Sequence, residues 1–386
     1  MVLGSGPPAD DGAGSLGLYV HVPFCAAICD YCNFNRGLLD EDLKARYVEA
    51  LVDEVRRTPD PTAADSIYFG GGTPSLLTPD EMSRIIGTLA DVFRLDAATE
   101  VTLEANPESV TAAGLRDVRS AGVNRLSMGV QSFDDGELTR LGRVHTAAGA
   151  RAAYAAARAA GFDNINLDLM MWLPGQSTTA WRRTVSDLIG LGPDHASLYM
   201  LELYPNAPLR ESMARGGWAS APDEDAAQMY LDAMAALEQA GYEQYEISSV
   251  ARPGRRCRHN LKYWADGEWI GFGCGAHSTR DGVRWKNESA TGLYIDRVAA
   301  GGSVAVDRRR LADRERLGDA LFMGLRLTDG LDLPAVERRY GVRVDQRFGR
   351  DLEPFFDAGL VATDGRRLRL TREGMLLANE VMAIFV

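Results

Sequence analysis

Hydrophobic and polar positions follow two different spacings between residues 18 and 174. Short apolar runs rich in β-branched residues are separated by longer stretches with the three-to-four-residue spacing of amphipathic helices. The pattern predicts strands at residues 18–22, 66–69, 100–104, 125–128, 165–170 and 196–203. It predicts helices at residues 42–57, 79–93, 111–120, 147–160 and 178–191. Strands and helices in this order indicate an α/β fold with a parallel sheet that forms a partial or complete barrel.

Glycines and polar residues follow the ends of the predicted strands. The first strand is followed by a group of cysteines, the second by Gly70-Gly71-Gly72-Thr73-Pro74, the third by Glu104-Ala105-Asn106-Pro107 and the fourth by Gly129-Val130-Gln131-Ser132. The carboxyl ends of parallel strands meet at one edge of a sheet, and ligands of β/α folds bind at that edge. We therefore expect the ligand site at this rim.

The regular alternation ends after about Tyr204. A helix is predicted at residues 223–240, and glycines surround residues 273–277. From Arg308 the chain is rich in Arg and Leu, and two short strands flank the Asp364-Gly365 turn, as in a small winged-helix-like α+β module. This pattern predicts a flexible N-terminal tail (1–17), a barrel core (18–215), an accessory segment that completes the barrel side (216–307) and a C-terminal domain (308–386).

Composition narrows the classes of function. The 386 residues carry a formal net charge of −12, with 46% hydrophobic and 25% charged residues. Such a chain is globular, and its acidic balance argues against a nucleic-acid partner. The first residues lack the basic start and apolar run of a secretory signal, and no window approaches the roughly 18 to 20 apolar residues of a membrane span. We expect a cytoplasmic protein for which any membrane contact is peripheral.

Three of the five cysteines, Cys25, Cys29 and Cys32, lie within eight residues. In a reducing compartment this spacing favours metal ligation over disulfide bonding. Three thiolates on a short loop can hold three corners of a [4Fe–4S] cluster and leave the fourth iron open for a ligand. Two alternatives stay open at this point. One is a structural zinc site completed by His21, which makes the chain a zinc-stabilised interaction protein, and the other is three reduced core cysteines.

The segment around the cysteines, residues 19–32, resembles the signature of the radical SAM superfamily. Residues 70–75, 126–133 and 173–176 are similar to the family of oxygen-independent coproporphyrinogen III oxidases and haem chaperones. The resemblance runs from about residue 18 to the C terminus and implies a radical SAM partial (β/α)6 TIM-like barrel with a C-terminal domain like that of HemN. It also implies a [4Fe–4S] cluster on the three cysteines, with S-adenosylmethionine (SAM) at the open iron. The SAM contacts it implies are Tyr19, Gly71, Gly72, Thr73, Glu104, Gln131, Arg143 and Asp168.

Two features separate the branches of this family. The oxidase branch has a fourth cysteine two residues after the last cluster cysteine, where this chain has Phe34. Residues 259–264 match the HNxxYW motif of the haem-chaperone (HemW) branch. The resemblance to that branch implies haem as cargo, handed to haem-requiring proteins such as respiratory enzymes. The haem candidates are His259, Cys257, Tyr263 and Trp264.

Several points stay open after this resemblance. Oxidative decarboxylation of coproporphyrinogen III is the runner-up function, and whether the chain is an enzyme is undecided. The cluster and SAM would serve structure, dimerisation, regulation or an undefined radical step. By chemistry alone, His259 and Trp264 could equally be packing residues, His145 is a second haem candidate, and His277 could face the SAM cavity. Trp172 stands where the family usually has glycine, which leaves the loop shape after Asp168 open.

Overall fold

The computed structural model describes residues 15–58, 60–205, 207–220 and 222–386. In chain order its strands are β1 (Leu16–Val22), β2 (Phe24–Cys25), β3 (Gly37–Leu38), β4 (Ala64–Gly71), β5 (Glu100–Ala105), β6 (Arg125–Gln131), β7 (Ile165–Met171), β8 (His195–Met200), β9 (Glu243–Glu246), β10 (Ser249–Ala251), β11 (Trp269–Phe272), β12 (His277–Arg280), β13 (Val283–Asn287), β14 (Ala305–Arg310), β15 (Leu331–Asp332), β16 (Val361–Thr363) and β17 (Arg367–Leu370). Its α-helices are α1 (Glu41–Arg56), α2 (Pro79–Val92), α3 (Ala112–Ser120), α4 (Asp135–Arg140), α5 (Ala147–Ala159), α6 (Thr178–Leu191), α7 (Pro208–Gly216), α8 (Asp223–Gln239), α9 (Arg258–Trp264), α10 (Thr291–Ala299), α11 (Asp313–Gly324), α12 (Leu333–Tyr340), α13 (Val344–Asp357), α14 (Arg372–Leu376) and α15 (Ala378–Met382). Short 3₁₀ helices lie at Pro74–Leu76, Pro107–Ser109 and Ala383–Phe385.

One large sheet confirms the predicted α/β barrel fold. Its strand order is β14-β13-β12-β11-β1-β4-β5-β6-β7-β8-β10-β9. The run from β1 through β4 to β8 is parallel and contains the six predicted strands. On one side β11 extends this run in parallel with β1, and on the other side β10 pairs with β8 in the antiparallel sense. The parallel run therefore brings the carboxyl ends of β1 and β4–β8 to one rim.

Small differences separate the predicted and observed strand ends. β1 begins at Leu16, so the predicted tail is two residues too long, and residues 1–14 of that tail lie outside the described residues. β8 ends at Met200, three residues before its predicted end. β6 continues to Gln131, past its predicted end at residue 128, because a register shift between Gly129 and Gln131 carries the pairing onward. Such a bulge redirects the side chains that follow it.

Alternation along the strands divides apolar from polar side chains. Leu18, Val20 and Val22 of β1 are buried in the main hydrophobic core. Tyr19 and His21 between them are joined by a hydrogen bond, with 3.0 Å between the hydroxyl and Nδ1. Side chains on successive positions of a strand point to opposite faces. One face of the barrel strands therefore packs on apolar groups, and the other carries polar groups into the barrel.

The helices begin and end at residues with clear local signals. Thr78 caps α2 in a reciprocal capping box with Glu81, and Pro79 occupies the first turn. Gly192 ends α6 in the left-handed conformation with φ of 67°. Within the described residues, no helix is both long and apolar enough to cross a membrane.

The C-terminal part confirms the predicted small α+β module. β16 and β17 pair in the antiparallel sense on either side of the predicted turn, and β15 adds to β17. A second hydrophobic cluster that includes Leu317, Leu352 and Phe385 lies beneath this small sheet. The division of the chain at residues 215 and 307 stays a prediction.

Candidate functional site

A cavity of about 400 Å³ opens at the carboxyl ends of the barrel strands. It is lined by all three predicted cluster cysteines and by seven of the eight predicted SAM residues, which are Gly71, Gly72, Thr73, Glu104, Gln131, Arg143 and Asp168. The eighth, Tyr19, lies deeper: a Cβ added at Gly70 would stand 2.9 Å from the Tyr19 ring. The fold thus brings residues that are far apart in the sequence around one cavity. Cys25 and Asp168, for example, are 143 positions apart along the chain.

Two of the three cysteine sulfurs are held by neighbouring side chains. Thr73 donates its hydroxyl to Cys25 Sγ at 3.6 Å, and the Arg143 guanidinium donates to Cys29 Sγ at 3.3 Å. Burial raises the pKa of the Cys25 thiol, and the hydrogen bond from Thr73 opposes this effect. The thiolate is the form of cysteine that binds iron. The cysteine loop therefore supplies three candidate sulfur ligands, and two residues from other parts of the chain donate hydrogen bonds to two of them.

Glycines let the strand β4 rim approach the cysteine loop. A Cβ on Gly72 would stand 2.7 Å from the carbonyl oxygen of Phe24 and 3.0 Å from Cys25 Sγ. Gly71 has φ of 119°, a conformation that side-chain-bearing residues rarely adopt. The close packing of backbone on backbone here requires glycine, which gives these residues a physical role at the cavity wall.

Two buried carboxyl groups line the inner part of the cavity. Glu104 accepts hydrogen bonds from the Tyr68 hydroxyl at 2.8 Å and from the Gly71 N–H at 3.2 Å. Asp168 accepts from Asn166 at 2.8 Å and from Ser127 at 3.1 Å. Burial raises the pKa of Glu104 to about 7 and also raises the pKa of Asp168.

Neither of these carboxyl groups forms an ion pair with another described residue. A buried carboxylate without a counter-ion is costly, and a cationic ligand removes that cost. The cavity is therefore suited to a ligand with positive charge, such as the ammonium and sulfonium groups of SAM.

Two residues near the cavity adopt left-handed backbone conformations. Gln131 has φ of 66° at the end of the β6 bulge, and Trp172 has φ of 61° just after β7. Trp172 thus makes a left-handed turn without being glycine, the residue that adopts this conformation most easily. Such a conformation costs a non-glycine residue on the order of 1–3 kcal/mol.

The histidines proposed from the sequence as alternatives are placed elsewhere. His21 contacts Tyr19 through Nδ1 and the carbonyl of Asn35 through Nε2 at 2.8 Å, so both ring nitrogens are engaged away from a zinc ion. Among the described residues, no three His, Cys, Asp or Glu side chains gather as a site for a single metal ion. His145 is buried and contacts Glu108 and the carbonyl of Val130, so it is not a surface residue. His277 is exposed on β12 and does not line the cavity, which corrects that expectation.

The HNxxYW segment forms α9 at the other end of the barrel. Glu100, the first residue of β5, accepts hydrogen bonds from the N–H groups of Arg258 at 3.0 Å and His259 at 3.3 Å. His259 is fully buried, with Nδ1 at 3.0 Å from the Ser66 hydroxyl and Nε2 at 2.9 Å from the Tyr263 hydroxyl. Since Glu100 and Ser66 lie at the amino ends of their strands, α9 closes the end of the barrel opposite the cavity.

The other three haem candidates join the same packed layer. Cys257 is fully buried, with Sγ at 3.6 Å from a carboxylate oxygen of Glu100. Tyr263 packs edge-on against Trp269, and the Arg326 guanidinium lies 4.4 Å above the Trp264 ring. In this arrangement a haem iron reaches His259 or Cys257 only if α9 moves. Haem ligation by the four residues stays a prediction.

Some cavity residues were not singled out from the sequence. They include Tyr68, Ser127, Tyr199 and Met200. Tyr68 lies two positions before Gly70 on β4, so strict alternation could have placed it on the inward face. Asn106 donates to Thr73 at 3.1 Å and accepts from Arg143 at 2.7 Å, and these tertiary contacts have no local sequence signal.

Comparison with protein-family models gives two matches. Residues 19–188 match the radical SAM superfamily, and residues 311–377 match the HemN C-terminal domain. The first match contains every predicted cluster and SAM residue.

Full-length relatives agree with these matches. The chain is 35% identical over 372 residues to the haem chaperone HemW of Bacillus subtilis, covering 95% of this chain and 98% of that protein. It is 36% identical to the haem chaperone HemW of Mycobacterium tuberculosis, covering 95% and 93% of the two chains. It is 34% identical to the mitochondrial radical S-adenosyl methionine domain-containing protein 1 of Bos taurus, covering 97% and 90%.

One solved structure is similar over nearly the whole chain. The coproporphyrinogen III oxidase (HemN) of Escherichia coli, described as a radical SAM enzyme, superposes with a TM-score of 0.85 at 25% identity. The match covers 97% of this chain and 90% of that chain. The shared fold thus includes both the barrel and the C-terminal part.

Proposed function

Because this chain belongs to the HemW family of radical SAM proteins, we propose that it binds haem and delivers it to haem-requiring proteins, respiratory enzymes among them. Delivery takes place in the cytoplasm. The protein meets its acceptors there, and any contact that it makes with the membrane surface is peripheral. The chain holds a [4Fe–4S] cluster and SAM as resident groups and haem as cargo. A homodimer is part of this proposal.

The residues of the cavity fit the resident groups. Cys25, Cys29 and Cys32 would hold the cluster, because all three line one cavity and two of their sulfurs already have hydrogen-bond donors. Glu104 and Asp168 would face the cationic groups of SAM, and Gly71 with Gly72 leaves room for its close approach. When bound, a reduced cluster supplies the electron for reductive cleavage of SAM.

Phe34 is the observation that favours a haem carrier over an oxidase. It stands at the position of the oxidase branch's fourth cysteine, lines the mouth of the cavity and is 63% exposed. The chain therefore offers an apolar ring where the oxidase branch has a thiol.

A parallel binding and turnover measurement tests the proposal. Anaerobically purified, cluster-reconstituted protein is titrated with haem, and a second sample receives coproporphyrinogen III, SAM and a reductant. We expect a saturable Soret shift in the first sample and unchanged coproporphyrinogen III in the second. Formation of protoporphyrinogen would instead support the oxidase function, which the structural similarity to HemN makes the second candidate.

Metal analysis of the same preparation tests the resident cluster. We expect iron and acid-labile sulfide in equal amounts, with a visible absorbance that bleaches on reduction. Zinc without sulfide would identify a zinc-stabilised interaction protein instead. A triple variant with Cys25, Cys29 and Cys32 replaced by alanine is the matched control, and it should contain neither iron nor sulfide.

A further inference from the structure

The sheet extends beyond the barrel as β11–β14, and its two faces differ in character. Ile270 and Phe272 of β11 are buried in the main core on one face. On β12 and β13, His277 pairs directly with Lys286, and Thr279 pairs with Arg284. Directly paired residues of antiparallel strands point to the same face. His277, Thr279, Arg284 and Lys286 therefore form one face, which we name the basic sheet face.

His277 differs from the other histidines in its access to solvent. The chain has five histidines, and His21, His145, His195 and His259 are all buried with at most 7% of their surface exposed. The two cysteines outside the cluster loop, Cys257 and Cys274, are also fully buried. Histidine is a common axial ligand of haem iron, and its imidazole must be accessible if the haem arrives from solvent. Among the histidines and non-cluster cysteines, His277 alone is exposed.

The basic sheet face carries positive side chains although the chain as a whole is acidic. The chain has a net charge of −12 and only three lysines, and two of them, Lys44 and Lys262, form ion pairs with carboxylates. Among the described residues, Lys286 has no ion-pair partner. Lys286 pairs directly with His277, whereas Arg284, two positions earlier on β13, is ion-paired with Asp319 at 2.9 Å. An unpaired cation beside an accessible imidazole suits a ligand that carries both a metal and carboxylate groups.

Two further observations fit a neutral, fixed imidazole. Burial lowers the pKa of His277, and the positive charges of Lys286 and Arg284 lower it further. A neutral ring is the form that ligates iron. The Trp269 indole N–H donates a hydrogen bond to the backbone carbonyl of His277 at 2.9 Å. This bond holds the His277 backbone next to the Trp269 ring.

We propose that ferric haem binds on the basic sheet face, with His277 as an axial ligand and a haem propionate paired with Lys286. The inference rests on the proposed function, because it assigns the site of the cargo. It places the haem outside the SAM cavity and away from the buried His259. Cargo on an open sheet face is accessible to an acceptor protein without unfolding of the barrel.

Haem titration of the full-length, cluster-reconstituted protein tests the site. Resonance Raman and electron paramagnetic resonance spectra of the haem complex report whether an imidazole is bound to the iron. In His277→Ala we expect loss of the iron–imidazole signature and a Kd that rises about tenfold or more, with partial recovery on addition of free imidazole. In Lys286→Glu we expect weaker binding with the imidazole signature kept, because the lysine contacts only a propionate.

Matched variants separate this site from general effects. Arg116→Glu changes the net charge by the same amount as Lys286→Glu at an exposed position of α3, and it should leave haem binding unchanged. His277→Ala is compared with wild type for iron content and thermal unfolding, and both should be equal because the side chain is exposed.

The outcomes separate the inference from the proposed function. If the wild type binds no haem, the haem-carrier function itself is wrong. If the wild type binds haem and His277→Ala keeps the same spectrum and affinity, the carrier function stands and the inference is overturned. Loss of the imidazole signature in a folded His259→Ala variant, with His277→Ala unchanged, would also overturn it and assign the iron to α9.

Discussion

Replacing Glu104 by glutamine tests whether a buried carboxylate attracts the cationic cofactor. Burial raises the pKa of Glu104 to about 7, so in the empty cavity a large part of this group is neutral near neutral pH. The ionised form attracts the ammonium and sulfonium of SAM, whereas the neutral form does not. SAM binding should therefore strengthen as pH rises through the pKa of Glu104.

The size of the effect follows from the fraction of ionised carboxylate. With a pKa of about 7, roughly one-tenth of Glu104 is ionised at about pH 6 and half at about pH 7, so the apparent affinity should rise about fivefold over that interval. The SAM amine stays protonated over this range, since α-amino groups titrate near 7.7–8.0. In Glu104→Gln the rise should vanish, and affinity at about pH 7 should be lower by about tenfold or more.

Equilibrium dialysis of SAM against the cluster-reconstituted protein at several pH values measures this. Glu108→Gln is the matched control. Burial opposes ionisation of Glu108, but the hydrogen bond from His145 lowers its pKa below the ordinary value, and Glu108 does not line the cavity. This variant should keep the pH dependence of the wild type. A wild-type affinity that is flat between about pH 6 and 7, or a Glu104→Gln variant with the wild-type rise, would refute the reasoning.

Three further predictions concern stability and cluster loading. Burial raises the pKa of Glu54 from 4.5 to about 7. As pH rises, the unfolded chain therefore loses this proton at lower pH than the folded protein does. The free energy of unfolding should fall by about 3 kcal/mol between about pH 4.5 and 7. In Glu54→Gln this part of the pH dependence should disappear from urea unfolding curves; an identical slope in both proteins would contradict the assignment. Gly72→Ala should lower the iron content, because its Cβ would press on the cysteine loop, whereas Gly87→Ala inside α2, with no atom within 4 Å of the new Cβ, should keep it. His259→Ala should lower the free energy of unfolding by about 2–4 kcal/mol, since a fully buried ring and its two hydrogen bonds are removed; a loss below about 1 kcal/mol would show that α9 does not depend on it.

Local sequence determined the elements of the barrel and the cysteine motif that we propose as the cluster ligand. Short apolar runs rich in β-branched residues predicted each of the six parallel strands to within a few residues, because these strands are buried in the main core. The caps at Thr78 and Gly192 act within one helical turn, so these helix ends also depend on local sequence. The cysteine spacing is likewise local, since one short loop carries all three sulfurs.

Tertiary structure alone decided how the polar groups are used. Asn106, Arg143 and Thr73 meet only because separate strands end at one rim, and the hydrogen bonds among them have no local pattern. The sequence singled out His259 by its motif, but burial beneath Tyr263 and beside Ser66 depends on how α9 closes the barrel.

The same reason explains why the exposed His277 carried little signal. Its surroundings consist of residues on neighbouring strands, and register between strands is a long-range property that a single sequence does not display. The sequence therefore determined which chemical groups the chain contains and which helices and strands carry them. Packing of the sheet and α9 decided which of those groups are buried, paired or open to a ligand.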